Sequence, residues 1–145
     1  MIHLLLLLCT YHCQSIDTLR LPVANGYIYH PKTDTTLLCR KRIGIYISAT
    51  SDFNVKSVHQ GRVIKVISMK SGDGYEVAIV SGSSYFFYGQ IYKVTVKVGQ
   101  IVQRGQIIGE LSSQQGDNNF LLFSVYKHGK EVNEEYFLRQ GGVSD

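Results

Sequence analysis

Short apolar segments, separated by Gly, Ser, Asn and Asp, run along most of the chain. Between residues 75 and 81, Tyr75, Val77 and Ile79 fall on one side of an extended chain, which is the period-two pattern of a half-buried strand. We predict further strands over 44–49, 61–69, 84–91 and 120–126, with turns at 71–74, 82–83 and 127–130. Only residues 134–140 could form a helical turn. Many strands joined by tight turns predict an all-β fold, either an antiparallel β-sandwich or a small barrel.

A second pattern occupies residues 96–111, where Gly99, Gly105 and Gly109 punctuate pairs of branched aliphatic residues. Because Gly tolerates positive φ, such a chain can turn sharply and place its aliphatic side chains in a narrow core. The pattern occurs in lipoyl and biotinyl carriers, in sugar-phosphotransferase domains and in lysostaphin-like peptidases, which are all compact sandwiched β folds. We predict a core to which the following residues contribute: Val63, Val66, Val77, Ile79, Val98, Ile101, Ile107, Leu121 and Phe123.

The composition fits one globular domain. The chain has 145 residues, of which 44% are hydrophobic and 18% charged, so it is long enough for one core and too apolar for a disordered chain. The formal net charge of +4 suits a protein that works near an anionic surface such as a cell wall. This charge falls short of the dense basic stripe of a nucleic-acid-binding protein, so we expect no nucleic-acid partner.

The first residues have the pattern of an export signal. An apolar run over residues 4–8 precedes Cys13-Gln14-Ser15, which places small residues at a cleavage site. We therefore predict a signal peptide over 1–15, a domain over 16–145 and a periplasmic or extracellular location. The apolar run is too short to span a bilayer, so the mature chain is expected to have no transmembrane segment. Cleavage after Ser15 would leave Cys39 as the one cysteine, which excludes an internal disulfide and a cysteine zinc site.

Ordered landmarks at residues 22–27, 55–63, 82–91 and 120–133, within the span from 22 to 138, together resemble one family, the lysostaphin-like (LytM-type) peptidoglycan metallopeptidases. Residues 22–27 are similar to the first strand of these proteins, and residues 55–63 resemble a strand pair that ends in Gly-x-Val. Residues 82–91, with Tyr85 and Tyr88, resemble the segment that ends in Tyr-x-His-Leu in active members. Residues 120–125, followed by Gly129, Val132 and Asn133, resemble the closing strand His-Leu-His-Phe-Glu-Val and the Gly-x-x-Val-Asn after it. The resemblance implies a barrel-sandwich hybrid with a duplicated hybrid motif.

The resemblance also implies where a zinc site would lie. Active members hold zinc through a His-x-x-x-Asp strand and the second His of His-x-His, and the remaining two histidines serve the attacking water and the oxyanion. These zinc-ligand positions correspond to Arg42, Tyr46 and Leu122, and the catalytic histidines to Gln90 and Phe120. Arg repels a metal, Leu and Phe have no lone pair, and Gln is no base near neutral pH. We therefore expect a degenerate member with no metal, no other cofactor and no catalytic residue.

Other histidines do not rebuild such a site. His30, His59 and His128 have no metal-ligand spacing, and we expect them on turns and strand ends. Met69-Lys70 is similar to the Met-Lys of a biotinyl hairpin, but Ser68 and Ser71 replace the expected neighbours.

The function that follows is a binding, regulatory or scaffold module of the cell envelope, with a protein or a peptidoglycan fragment as partner. We expect the vacated groove to be lined by Tyr46, Tyr85, Tyr88 and Gln90, with Phe120 beside them, because aromatic and amide groups suit peptide, glycan or protein contacts. Two alternatives remain at this point. One is an active zinc endopeptidase with a relocated site, and the other is a carrier domain of the lipoyl or phosphotransferase type.

Overall fold

The structure, a computed structural model, describes residues 21–29, 44–70, 72, 74–114 and 119–132. Throughout these residues the regular secondary structure consists of β-strands, without an α-helix. No helix in this part of the chain is long and apolar enough to cross a membrane. The predicted signal peptide, the predicted helical turn at 134–140, His30, Cys39 and Arg42 lie outside the described residues.

Eleven strands can be assigned within the described residues. In chain order they are β1 (Tyr27–Tyr29), β2 (Ile45–Ser48), β3 (Asn54–Lys56), β4 (Gly61–Ser68), β5 (Tyr75–Ser81), β6 (Ser84–Ile91), β7 (Lys93–Val94), β8 (Ile101–Val102), β9 (Ile107–Glu110), β10 (Phe120–Lys127) and β11 (Lys130–Glu131). The five strands predicted from the hydrophobic pattern correspond to β2, β4, β5, β6 and β10.

The strands form two antiparallel sheets. The larger sheet has the order β1-β2-β10-β6-β5-β4-β8, and β11 adds a hairpin to β10. The smaller sheet has the order β3-β9-β7. The all-β antiparallel fold expected from the sequence is therefore confirmed.

The core contains side chains from both sheets. From the larger sheet it includes Val77 and Ile79 of β5 and Phe123 of β10, and from the smaller sheet Val55 of β3 and Ile108 of β9. These side chains are almost fully removed from solvent, so apolar burial joins the two sheets. The sheets are thus held together by packing that involves no metal ligand.

The predicted core is wrong for three residues. Val98, Ile101 and Ile107 are exposed, whereas Val102 next to Ile101 and Ile108 next to Ile107 are buried; Val98 lies in the turn from Lys97 to Gln100. Adjacent side chains on an extended chain point to opposite faces, so only one member of each aliphatic pair can enter the core. The composition of the pairs does not indicate which member that is. The other predicted core residues are buried, except that Val66 is only partly buried against the cluster.

The regularly placed glycines serve two different purposes. Gly99 and Gly105 have φ of 91° and 80°, as expected for sharp turns. At Gly109, by contrast, a Cβ atom would lie 2.6 Å from Cγ2 of Ile91 and 2.6 Å from the carbonyl oxygen of Lys93. This glycine is required because β9 passes very close to the chain between β6 and β7.

Candidate functional site

The candidate site lies on the face of the larger sheet that points away from the core. On this face Tyr46 of β2 lies directly opposite Leu122 of β10, and Leu122 lies opposite Gly89 of β6. Residues opposite one another in an antiparallel pair share a face. Phe120, two residues before Leu122, is on the same face and lies opposite Ser48. The pairing of β10 with two strands therefore gathers these positions into one patch.

Tyr46 and Phe120 are in direct contact. Their ring centroids are 5.4 Å apart and their planes meet at 87°, so the edge of one ring faces the other ring. Both side chains are only half-buried. Edge-to-face pairs of this kind are favoured by the aromatic quadrupole and contribute about 1 kcal/mol. The patch is thus apolar and aromatic, and it remains accessible.

Gln90 lies in a β-bulge beside this patch. Tyr75 pairs with Ile91 and Val77 pairs with Tyr88, so β6 carries one extra residue in this stretch. Gln90 has a φ of 66°, which is uncommon for a residue with a Cβ atom. Its side-chain oxygen Oε1 is buried and has no hydrogen-bond partner among the residues that the structure describes. Gln90 is therefore a locally distorted position beside the patch.

Tyr88 does not line the groove, and the sequence-based expectation for this residue is wrong. Its side chain is fully buried in the core and packs against Phe123, with ring centroids 5.2 Å apart. The backbone N–H of Val58 donates a hydrogen bond of 3.0 Å to the Tyr88 hydroxyl. Burial raises the pKa of Tyr88 to about 12, although hydrogen bonds with the Val58 backbone and the Ser57 side chain oppose this shift. Tyr88 therefore has a structural role and connects the larger sheet to the segment after β3.

Tyr85 is on the outer face but not beside Tyr46. It lies opposite Tyr126, four residues from Gly89 along β6, a separation of about 13 Å at the usual rise of a strand. Between them, Phe87 makes an edge contact with Tyr126 at a centroid distance of 5.6 Å and an angle of 81°. We call the surface formed by these residues the outer aromatic face: Tyr46, Tyr85, Phe87, Phe120, Leu122 and Tyr126.

The presence of Phe87 and Tyr126 on this face was not predicted from the sequence. Four consecutive aromatic residues occupy positions 85–88, so the alternation of β6 carries aromatic side chains on both faces. The signal that could have identified Phe87 is the parity it shares with exposed Tyr85, because residues two apart on a strand lie on one face.

The described residues of the candidate site do not fit a zinc ion. Leu122 and Phe120 have no lone pair, and Tyr46 offers a single phenol oxygen. Within the described ranges, no three His, Cys, Asp or Glu side chains are grouped so that they could hold a metal ion. His59 is exposed, and its ring stacks on Phe86 at a centroid distance of 6.0 Å. The described residues of this face therefore do not supply the several nitrogen or carboxylate ligands that a zinc site requires.

Comparison with known proteins gives the fold a family context. A family model described as "Peptidase family M23" matches residues 40–134. An uncharacterized protein of Haemophilus influenzae is 33% identical over 98 residues, which make up 66% of this chain and 24% of that protein. The chain thus spans about a quarter of the length of the curated relative it matches.

Two solved structures have the same fold. One is a mutant of the catalytic domain of the prophage-encoded M23 protein EnpA from Enterococcus faecalis, with a TM-score of 0.61 at 21% identity over 81% of this chain and 95% of that one. The other is the SpoIIQ–SpoIIIAH pore-forming complex, with a TM-score of 0.61 at 18% identity over 85% of this chain and 92% of that one. At these identities the likeness concerns the fold alone.

The buried phenol of Tyr88 predicts a loss of stability at alkaline pH. An unfolded tyrosine ionises near pH 10.0, whereas folded Tyr88 has a pKa of about 12. The stability that this difference contributes is fully present below pH 10 and is lost as the pH rises toward 12, because only the unfolded chain releases the proton in this range. We expect a loss of about 2 kcal/mol in the free energy of unfolding, measured by urea titration at a series of pH values.

Tyr88→Phe is the matched control for this measurement. It should remove the alkaline loss attributed to Tyr88 and should cost about 1–3 kcal/mol at neutral pH, since the Val58 N–H loses its acceptor. Identical alkaline profiles for Tyr88→Phe and the unmodified chain would contradict the assignment.

Proposed function

The chain belongs to peptidase family M23, and we propose that it is a catalytically inactive member that acts as a binding, regulatory or scaffold module in the cell envelope. The observation that carries this proposal is the type of side chain found on the outer aromatic face. Tyr46, Leu122 and Phe120 share one patch where the family resemblance would place two zinc ligands and a catalytic histidine. A metallopeptidase needs three ligands and an open position for water, and these side chains provide neither.

The same residues form a surface suited to a peptide. Half-buried aromatic side chains offer large apolar contact areas at low entropic cost. Gln90 lies at the margin of this surface, but its side-chain oxygen is shielded from solvent, so the aromatic side chains provide the accessible contacts. A peptide segment fits such a surface, because its apolar side chains can pack on the rings. The proposed partners are therefore a peptidoglycan fragment with its peptide stem or an extended segment of an envelope protein.

Three further observations support this assignment. One structural neighbour is a pore-forming complex of two proteins, so the fold is compatible with a role in assembly. The match to peptidase family M23 over residues 40–134 favours this reading over a lipoyl or phosphotransferase carrier. The export pattern at residues 1–15 is consistent with work outside the cytoplasm, in the periplasm or beyond the cell.

The first test of the proposal is zinc content and peptidase activity. After equilibration of the purified chain with zinc chloride and dialysis, we expect no stoichiometric zinc by elemental analysis and no dye release from labelled peptidoglycan. The EnpA catalytic domain is the positive control. Stoichiometric zinc that a chelator removes together with activity would refute the proposal.

A gain-of-function variant tests the mapping of the site independently. Arg42→His, Tyr46→Asp and Leu122→His together restore the ligand types of the family, and we expect this triple variant to retain zinc. A folded triple variant that binds no zinc would show that these three positions are not the counterparts of the ligands.

A further prediction concerns binding through Tyr46. Tyr46→Ala removes one ring of the Tyr46–Phe120 pair, so co-sedimentation with purified sacculi or capture of envelope proteins should weaken by at least about tenfold, the loss typical of an aromatic anchor. Because Tyr46 is only half-buried, the free energy of unfolding should fall by less than about 2 kcal/mol. Tyr92→Ala is the matched control, since Tyr92 is 67% exposed and lies outside the outer aromatic face. A large loss of stability with unchanged binding would mean that Tyr46 fills a cavity instead.

A further inference from the structure

Among the described residues, one side of strand β4 has no paired strand over its second half. Its first residues, Gly61 and Arg62, pair with β8, and the whole strand pairs with β5 on the other side. Beyond Arg62, no strand of the described chain continues the pairing on the β8 side. We call residues 64–68, on this open side, the β4 edge.

Backbone hydrogen bonds show which groups face the open side. Val63 donates to the Gln100 carbonyl at 2.9 Å and accepts from the Gly99 N–H at 2.7 Å, so its backbone groups face β8. Met69 donates to the Gly74 carbonyl at 2.8 Å, on the side of β5. A bulge between Val63 and Lys65 shifts the alternation of β4, so odd-numbered residues bond toward β8 before the bulge and toward β5 after it. Backbone groups alternate between the two sides of a strand, and those of Met69 face β5. The N–H and C=O groups of Val66 and Ser68, which lie an odd number of residues before Met69, therefore face the open side.

The side chains along this edge are unusually apolar for an exposed strand. Ile64 is 41% exposed and Ile67 is 45% exposed, and Ser68 is exposed as well. An open edge with free backbone groups and exposed branched aliphatics is a template for one more strand. We propose that the β4 edge binds an extended, acidic segment of a partner protein, which adds a strand to the larger sheet.

The charges near the β4 edge indicate that the partner segment is acidic. Arg62, Lys65 and Lys70 lie on or directly after β4, and Lys97 lies in the turn that bonds to Val63. Glu76 of the neighbouring strand β5 is bonded to Lys65 at 2.8 Å. The edge therefore keeps an excess of positive charge, which attracts an acidic segment and repels a basic one.

The same charges disfavour a second copy of this chain as the occupant. An antiparallel pairing of two β4 edges centred on Val66 would bring Lys70 of each copy toward Arg62 of the other copy, just beyond the paired residues, since Arg62 itself stays paired with β8. Like charges directly opposite one another destabilise a strand pair. The bulge before Lys65 further restricts regular pairing to the short stretch from Val66 to Ser68. These features oppose self-association and leave a short acidic strand as the matching ligand.

The test uses the full chain and a labelled seven-residue peptide that alternates Glu and Val, with binding followed by fluorescence anisotropy at low salt. Val66→Pro removes an N–H that faces the open side and is not needed for pairing with β5, so it should weaken binding at least about tenfold. Val66→Thr keeps that N–H and should bind like the unmodified chain. Lys70→Glu should weaken binding about threefold through charge alone.

Two changes to the peptide keep the test independent of how well Val66→Pro folds. N-methylation of alternate peptide amides should abolish binding, and replacement of each Glu by Lys should weaken it at least about tenfold. Equal binding of the Glu and Lys peptides, or of the methylated and unmethylated peptides, would overturn the proposal. A concentration-dependent dimer that Val66→Pro dissociates would identify a second copy as the occupant and would overturn it too. Retention on sacculi should be unchanged in Val66→Pro, which separates this surface from the outer aromatic face.

Discussion

Strand β10 is paired on both sides, with β2 and with β6, and this double pairing determines the face on which every residue of the candidate site lies. Its odd-numbered residues Leu121, Phe123 and Val125 are buried in the core. Its even-numbered residues Phe120 and Leu122 must therefore lie on the outer face, beside Tyr46. A shift of one residue in this register would exchange the two sets, at the cost of exposing the core. Because the core fixes the register, the outer aromatic face keeps its geometry without a metal ion.

The sequence predicted the strands well where alternation and turn residues agreed, as in β5 and at the glycines of positive φ. It failed where adjacent residues were chemically alike. The pairs at 101–102 and 107–108 are both aliphatic, so composition could not indicate which member enters the core. The run of aromatics at 85–88 hid the burial of Tyr88 and the exposure of Phe87 for the same reason. The bulge at Gln90 could not be foreseen from the sequence. The positive φ falls on Gln90 and not on the neighbouring Gly89, and glutamine is not a typical turn residue.

Gln90 is a locally distorted residue at the margin of the outer aromatic face. The extra residue of β6 places a side-chain amide at the margin of the outer aromatic face, with its oxygen buried and its backbone in a conformation that costs about 1 kcal/mol or more. A purely structural role would favour a glycine at this φ, because glycine would relieve the strain. In the proposed function, aromatic contacts on this surface take the place of metal chemistry.

The central claim is that the outer aromatic face holds no metal. The most direct measurement is anomalous diffraction at the zinc edge from crystals of the full chain grown with excess zinc chloride. The account predicts no anomalous peak within bonding distance of Tyr46, Gln90 or the backbone around Leu122. A zinc peak on this face, coordinated by three protein side chains of the same molecule, would contradict it.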